Sequence, residues 1–307
     1  MATIEQQPRN TTASSADGGP SPDDGPRAGS NAIPQLRPGM RPAVWVLLIL
    51  GVLVMIVPFV WMLLASVKTQ VELLQTPPTW FPDEPTLDNY RELFDRLDFP
   101  RYFWNSTIIA GLITGSNLLF CSMVGYALAK IEFRGRDKLF VLIIATMMVP
   151  SSVTLVPLFV LMSRLELVNS YAGAILPTAA GAFGVFLMRQ FIMGLPTELL
   201  EAARVDGAGH LGIFTRIVLP LSTAPLAVLA IFTFLGAWNA FLWPLIILQD
   251  DAMYTLPVAL GTFAIGEHRT DYGLLMAGSV VIIAPIVVVF LALQRYFTES
   301  IVMTGVK

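Results

Sequence analysis

The most chemically distinctive part of the sequence is GLPTELLEAARVDGAGHLGIFTRIVLPLS, residues 194–222. Glu201 stands in a predicted short helix, where an acidic residue complements the positive end of the helix dipole. Gly207 predicts the end of this helix, because glycine readily takes the left-handed conformation of a helix C-terminus. Ala202 and Ala203 leave one face poor in side chains, so another protein's backbone can approach closely. These residues predict docking of a protein rather than catalysis.

Other residues that often do chemistry are scattered. His210 and His268 are isolated, Cys121 is the single cysteine, and Glu267 with Asp271 predicts an exposed turn. This pattern predicts no catalytic group, no metal site, no cofactor and no internal disulfide. The chain also lacks a Gly-Lys dipeptide, and therefore lacks the P-loop that cradles ATP phosphates.

Neutral polar and aromatic side chains inside apolar stretches are candidates for lining a transport pathway. The pathway candidates are Ser151, Ser152, Trp238, Asn239 and Trp243. The alternative for the polar ones, and for Asn117, is hydrogen bonding between helices. Both roles stay open for Asn239. Seven prolines in the same stretches predict either simple kinks or broken helices beside a pathway.

The composition identifies the environment in which these residues act. Of the 307 residues, 55% are hydrophobic and 13% are charged, and the mean hydropathy is +0.67. Soluble domains carry about 25% charged residues, so much of this surface must face lipid. The net charge of −3 provides no basic surface for nucleic acid. The sequence therefore predicts an integral membrane protein.

Uncharged stretches long enough to cross a membrane as helices occur six times. They are Ala43–Val67, Asn105–Ala129, Leu139–Ser163, Leu167–Met188, Ile217–Gln249 and Tyr272–Leu293. Their continuous apolar character favours helices over a β-barrel. Pro220 and Pro225 predict where a cytoplasmic lead-in becomes the fifth span. The absence of ionisable residues within these stretches argues against ion-coupled transport.

The distribution of Lys and Arg predicts that both termini are cytoplasmic, because short cytoplasmic loops are enriched in these residues. The predicted order is a disordered cytoplasmic tail (1–42), a first transmembrane helix (43–67), an extracytoplasmic loop (68–104), a core of five transmembrane helices (105–294) that includes a cytoplasmic loop (195–222), and a cytoplasmic C-terminal tail (295–307). In the extracytoplasmic loop we expect an extended, proline-interrupted cap followed by a short helix.

The cytoplasmic loop closely resembles the EAA loop of permease subunits in ATP-binding-cassette (ABC) importers. The matching positions are Glu201, Ala202, Ala203, Asp206, Gly207, Ala208, Ile217, Leu219 and Pro220. The segments PTLDNY, GYALAKIEFRGR, MMVPSSVTLVPLF, NSYAGAILP, AWNAFLWPL and QRYF are similar to the carbohydrate-uptake branch, specifically its maltose-permease-like smaller subunit. That branch often has Gly where Glu166 stands here.

The resemblance implies a type I ABC importer permease fold with six transmembrane helices in the plasma (inner) membrane. It implies four kinds of partner: a second homologous permease, two cytoplasmic ATPase subunits, an extracytoplasmic solute-binding protein and membrane lipid. The first six matching positions, Glu201 to Ala208, would couple the chain to the ATPase. We expect a sugar or oligosaccharide as substrate, with a glycerol-phosphate compound as the alternative within the class. A stand-alone secondary transporter or channel, and a membrane scaffold or sensor, are the alternatives outside it.

Overall fold

The computed structural model of the protein describes residues 40–264 and 270–304. The chain divides into two units, residues 1–54 and 55–307. In the first unit, residues 40–54 form the beginning of helix α1 (Met40–Ser66), and the side chains from Trp45 to Val54 are exposed, as lipid contact requires. The predicted disordered tail of residues 1–42 lies outside the described residues except for its last three.

The second unit is helical, and its described residues contain no β-strand. After α1, the helices are α2 (Gln70–Leu73), α3 (Asp88–Arg96), α4 (Phe99–Lys130), α5 (Arg136–Thr146), α6 (Ser151–Arg164), α7 (Tyr171–Ile175), α8 (Ala182–Met193), α9 (Thr197–Val205), α10 (His210–Ile213), α11 (Leu219–Leu221), α12 (Thr223–Trp238), α13 (Leu242–Ile247), α14 (Leu256–Ala264) and α15 (Tyr272–Thr304). Short 3-10 turns lie at Leu176–Thr178 and Asp251–Met253, and a π-helical turn lies at Phe214–Val218. The predicted all-α class is confirmed.

Three helices among the described residues are long and apolar enough to cross a membrane by themselves, namely Val44–Ser66, Phe99–Lys130 and Tyr272–Gln294. Three more spans are possible as bent pairs: Arg136–Thr146 with Ser151–Arg164, Tyr171–Thr178 with Ala182–Met193, and His210–Leu221 with Thr223–Trp238, bent by 100°, 44° and 80°. If each pair is one span, the total of six fits the predicted count.

The breaks are where the structure departs from the predicted stretches. Pro150 directly precedes α6 at the first break, and the third break lies at Ser222, between Pro220 and Pro225, where the lead-in was predicted to end. The fifth stretch was predicted to run to Gln249, yet its helix ends at Trp238. An apolar run favours lipid over water but does not require one continuous helix, because neighbouring helices can satisfy the freed backbone groups.

Helices α4 and α8 pack along a seam of small residues. A Cβ atom added to Gly125 would lie 2.8 Å from the Cβ of Met188, and one added to Gly184 would lie 2.7 Å from the Sγ of Cys121. Small residues allow the two backbones to approach closely, as is typical of helix pairs in membranes. Cys121 and Met188 are fully buried in this seam.

The loop predicted to be extracytoplasmic and the C-terminus differ in extent from the prediction. The short helix α2, which was not predicted, precedes the proline-interrupted stretch, and α3, the expected short helix, follows it. Helix α4 begins at Phe99 rather than at Asn105, because Pro100 suits a first helical turn. Helix α15 continues to Thr304, through most of the predicted tail of residues 295–307.

Candidate functional site

Helix α9 occupies the segment in which a docking helix was predicted. Its last turn ends in a Schellman motif, in which the Gly207 N–H donates to the Arg204 carbonyl at 3.0 Å and the Ala208 N–H donates to the Ala203 carbonyl at 2.9 Å. Gly207 has a φ of +84°, so the predicted left-handed conformation is confirmed. Both the short helix and its stop signal were therefore readable from the sequence.

The inner face of α9 is attached to the core of the protein. Leu200 is 3% exposed and belongs to a buried cluster with Tyr126, Ile192 and Phe214. Ala203 and Ala208 are half-buried and pack against the same cluster. Fully burying a leucine side chain contributes roughly 1.5–3 kcal/mol, so this face fixes the short helix in place.

The outer face of α9 carries charges and exposed apolar side chains. The remaining predicted coupling residues, Glu201, Ala202, Asp206 and Gly207, are exposed, as are Glu198 and Arg204. Val205 is 88% exposed and Leu211, just beyond the helix, is 69% exposed. Among the described residues, no ion pair involves the charged groups of α9. This outer face, from Glu198 to Asp206, is called the docking surface below.

A second candidate site is a cavity of about 240 Å³ between α4, the break that separates α7 from α8, α12 and α13. Its polar lining consists of Asn117, Thr178, Thr233 and Trp243. All of its lining residues are uncharged. The cavity therefore offers hydroxyl, amide and aromatic groups and no partner for an ionic ligand.

Asn117 bridges the break between α7 and α8, beside this cavity. Its Nδ2 donates to the Thr178 carbonyl at 2.7 Å, and its Oδ1 accepts from the Gly181 N–H at 2.8 Å. These two backbone groups flank the interruption before α8, so the amide supplies the partners that a continuous helix would have provided. The hydrogen-bonding role between helices considered for Asn117 is confirmed.

The predicted pathway residues are dispersed in the structure. Trp243 lines the cavity, whereas Trp238 is 2% exposed and its Nε1 donates to the Ile282 carbonyl at 3.1 Å. Asn239 is exposed at the end of α12, where its Nδ2 donates to the Leu235 carbonyl of its own helix at 2.9 Å. Ser151 and Ser152 are exposed at the start of α6.

The family model described as "Binding-protein-dependent transport system inner membrane component" matches residues 121–302, more than half of the chain. The chain belongs to this family. The permease, as it is called from here on, is thus a multi-pass inner-membrane protein of a non-catalytic subunit class. The predicted family and location are confirmed.

Curated relatives are similar to the permease over most of its length. The arabinooligosaccharides transport system permease protein AraQ of Halalkalibacterium halodurans is 42% identical over 253 residues, which are 81% of this chain and 90% of the relative. The lactose transport system permease protein LacG of Rhizobium radiobacter is 34% identical, over 80% of this chain and 89% of the relative. The sn-glycerol-3-phosphate transport system permease protein UgpE of Salmonella typhi is 36% identical, over 83% and 94%.

A solved structure has the same fold. It is a chain of a bacterial ABC transporter involved in the import of the acidic polysaccharide alginate, with a TM-score of 0.75 and 23% identity, over 86% of the permease and 99% of that chain. This likeness confirms the predicted ABC importer permease fold.

Sequence reasoning missed three asparagines that hold loops between the helices of the permease. Each bonds two backbone groups: Asn89 to the carbonyls of Ser66 and Lys68, Asn105 to those of Ala252 and Tyr254, and Asn169 to the N–H groups of Gln249 and Asp250. No local pattern announces such contacts, because the partners of Asn105 and Asn169 lie far along the chain.

It also missed a buried ion pair. Lys68 is 2% exposed and Glu72 is 5% exposed, and their charged groups lie 3.4 Å apart. Burial raises the pKa of the Glu72 carboxyl, but hydrogen bonds from the Thr79 hydroxyl and the Asp83 N–H, together with the Lys68 ammonium, outweigh this and lower it below its usual 4.5. The i, i+4 spacing was a visible signal, although its burial was not.

Proposed function

We propose that the permease forms half of the membrane pathway of a binding-protein-dependent ABC importer that takes up a neutral oligosaccharide. A second homologous permease supplies the other half, two cytoplasmic ATPase subunits drive the cycle, and an extracytoplasmic binding protein delivers the sugar. The observation that carries this proposal is the docking surface, which is anchored to the core on one side and whose charged groups make no ion pair with the described residues on the other.

The chemistry of this surface supports an ATPase subunit as its partner. Glu201 and Arg204 provide charges for pairing, and the exposed Val205 provides apolar area beside them. A helix that rested on lipid would instead need a basic polar face and bulky apolar anchors on the other. The resemblance implies an ATP-driven importer, and the sequence has no Gly-Lys dipeptide and therefore no P-loop. We therefore propose a separate ATPase that contacts the permease on the cytoplasmic side.

Charge reversal on the docking surface tests the coupling role. Glu201→Lys should weaken docking by roughly 2–5 kcal/mol, because a paired charge on the partner would be left buried and unpaired. That is roughly thirty-fold to several-thousand-fold, since each 1.4 kcal/mol is about tenfold. Co-purification of the ATPase with the permease, measured alongside uptake, should decrease accordingly while membrane insertion is unchanged.

Glu84→Lys is the matched control, because Glu84 is equally exposed but lies in the predicted extracytoplasmic loop. It makes the same change in net charge and should leave recovery of the ATPase at the wild-type level. Normal recovery and normal uptake in Glu201→Lys would refute the coupling role, leaving Glu201 only as a complement to the helix dipole worth about 0.3–1 kcal/mol.

A neutral sugar is supported by the uncharged cavity and by the relatives. AraQ and LacG are named for arabinooligosaccharides and lactose, and UgpE is named for sn-glycerol-3-phosphate. A phosphorylated substrate favours a cationic partner, and no cation lines the cavity. We therefore place the permease with the transporters of neutral sugars.

Uptake by the reconstituted complex tests the substrate class. Unlabelled arabinooligosaccharides or lactose should compete with uptake of a labelled neutral oligosaccharide, whereas sn-glycerol 3-phosphate should not. Preferential uptake of sn-glycerol 3-phosphate would contradict the proposal. The purified permease alone in liposomes should show no uptake, and transport by the chain alone would favour the stand-alone transporter instead.

A further inference from the structure

We infer that Lys130 is a positioning residue that links the docking helix to the membrane spans, so that movement of α9 is passed to α4. The inference rests on the proposed function, because it concerns how force applied at the docking surface reaches the pathway. Lys130 is the last residue of α4, and its ammonium group lies between the end of α8 and the beginning of α9.

The contacts of Lys130 define this link. Its Nζ donates to the Leu195 carbonyl at 2.7 Å and lies 3.4 Å from both the Met193 carbonyl and the Thr197 Oγ1. The last carbonyls of a helix lack partners within that helix, and a cation there also complements the negative end of its dipole. Only Pro196, whose φ is fixed by its ring, separates Leu195 from the first residue of α9.

Helix α8 returns an equivalent contact to α4. The Nε of Arg189, which is 9% exposed, donates to the Leu128 carbonyl in the last turn of α4 at 3.3 Å. The Arg189 guanidinium also lies 3.9 Å from the centre of the Phe140 ring and 3.5 Å from the Asp137 carboxylate. Each helix thus provides a cation for the other helix's free carbonyls.

The contacts of Lys130 and Arg189 connect the C-terminal ends of α4 and α8 with the beginning of α9. Arg189 holds α4 to α8, and the α4–α8 seam of small residues continues that attachment along both helices. Lys130 differs because its contacts extend past α8 to the entry of α9. A displacement of α9 therefore acts through the Lys130 ammonium on α4, which lines the cavity through Ile109, Ile113 and Asn117.

The test uses the full complex in liposomes, with uptake and ATP hydrolysis measured together. Lys130→Met should leave recovery of the ATPase near the wild-type level but lower the sugar taken up per ATP hydrolysed by about tenfold, which corresponds to about 1.4 kcal/mol of lost coupling. Lys130→Arg should restore this ratio, because a guanidinium keeps the charge and the donors. Amide hydrogen exchange of residues 195–200 should be faster in Lys130→Met and normal in Lys130→Arg.

Lys138→Met is the matched control, since Lys138 is an exposed lysine in the first turn of α5 whose side chain makes no hydrogen bond or ion pair to the described residues. It removes the same charge and should leave the ratio unchanged. An unchanged ratio in Lys130→Met, even with faster exchange, would overturn the inference.

Lys130→Gln is the second variant if Lys130→Met does not assemble, because its amide retains donors without the charge. A ratio between those of wild type and a fully uncoupled complex would support the inference. Failure of both variants to assemble would assign Lys130 a purely structural role and overturn it. Failure of the proposed function would look different, because the wild-type complex itself would then lack uptake or ATPase.

Discussion

The segment from Ser66 to Asn89, called the outer segment because it is predicted to be extracytoplasmic, and helix α9, the proposed docking helix, are both short, charged stretches. Their charged side chains differ in burial. In the outer segment, Lys68 and Glu72 are almost fully buried and satisfied by Thr79 and each other. On α9, the charged side chains are exposed and have no ion-pair partner among the described residues. The charges of the first stretch are thus paired within the chain, whereas those of the second are available for a partner.

The difference supports separate roles for the two stretches. The Gln70 side chain of the outer segment accepts from the N–H groups of Tyr272 and Gly273 and donates to the Thr270 carbonyl, so it helps to cap α15. The Lys68–Glu72 pair is likewise satisfied within the folded chain. The charged groups of α9 are exposed and make no ion pair with the described residues, so they are available to a partner. Substitutions in the two stretches should accordingly affect different measurements.

The largest effect is expected from Lys68→Met. It would leave the Glu72 carboxylate buried without its cation, and breaking a buried pair in this way typically costs about 3–5 kcal/mol of unfolding free energy. The measurement is unfolding of the purified permease in detergent. Glu201→Gln on the docking surface should change the same quantity by less than about 0.5 kcal/mol, as most exposed substitutions do.

Combining Lys68→Met with Glu72→Gln is the control, because the double variant leaves no unpaired charge. It should recover part of the lost stability. If Lys68→Met were as stable as wild type, the proposed difference between the two stretches would be wrong, because Lys68 would then behave as a surface charge.

A second prediction concerns the pH dependence of the outer segment. Because the pKa of Glu72 is lowered in the folded protein, its contribution is present above the unfolded value of 4.5 and is lost as the pH falls through the lowered pKa. The stability difference between wild type and Glu72→Gln should therefore be constant between about pH 7 and pH 5 and shrink in more acidic buffer. A difference that grew on acidification would have the wrong sign.

A third prediction concerns Gly207, which lies just beyond the end of α9, and its variant Gly207→Ala. An added Cβ would meet no atom within 4 Å, so the only penalty is the positive φ, about 1–2 kcal/mol for a residue other than glycine. The strain is released whenever α9 opens, so amide exchange in α9 should be faster and the free energy of global unfolding should fall by no more than the same amount. Gly209→Ala is the control, because Gly209 has open space but a φ of −73°. Equal exchange in both variants would contradict the strain argument.

The smallest effect is expected at Glu166, and it is a gain. The Glu166 N–H donates to the Ser163 carbonyl and the Leu167 N–H to the Met162 carbonyl, so α6 ends in the same motif as α9, with Glu166 at a φ of +58°. Glu166→Gly should stabilise the permease by up to about 1 kcal/mol by relieving this conformation. Glu166→Ala should not, and an equal gain from alanine would show that charge rather than backbone strain limits stability there.

The helix ends and the apolar stretches could be predicted because their signals are local. Gly207 stops α9, and a run of apolar residues indicates a span wherever it occurs. Pro177 was one of the prolines that signalled a kink or a broken helix, and it lies at the break before α8. The partner of this break could not be predicted, because its backbone groups are satisfied by Asn117 from a helix that is distant in the sequence. The burial of Lys68 and Glu72 was hidden for the same reason, since the loop that covers them folds back through Thr79 and Asp83. The predicted pathway residues lie apart in the structure, because an apolar stretch of sequence does not indicate which face of a helix each of its side chains occupies.

The burial of Cys121 has a practical consequence for spectroscopy. Cys121 is the chain's single cysteine, it is fully buried in the α4–α8 seam, and its Sγ lies 3.4 Å from the Gly181 carbonyl. Thiol reagents react with the accessible thiolate, so the native chain should remain unlabelled. A cysteine introduced at Val205 would then accept a fluorophore or spin label alone. Its signal would report on the docking surface without background from the rest of the molecule.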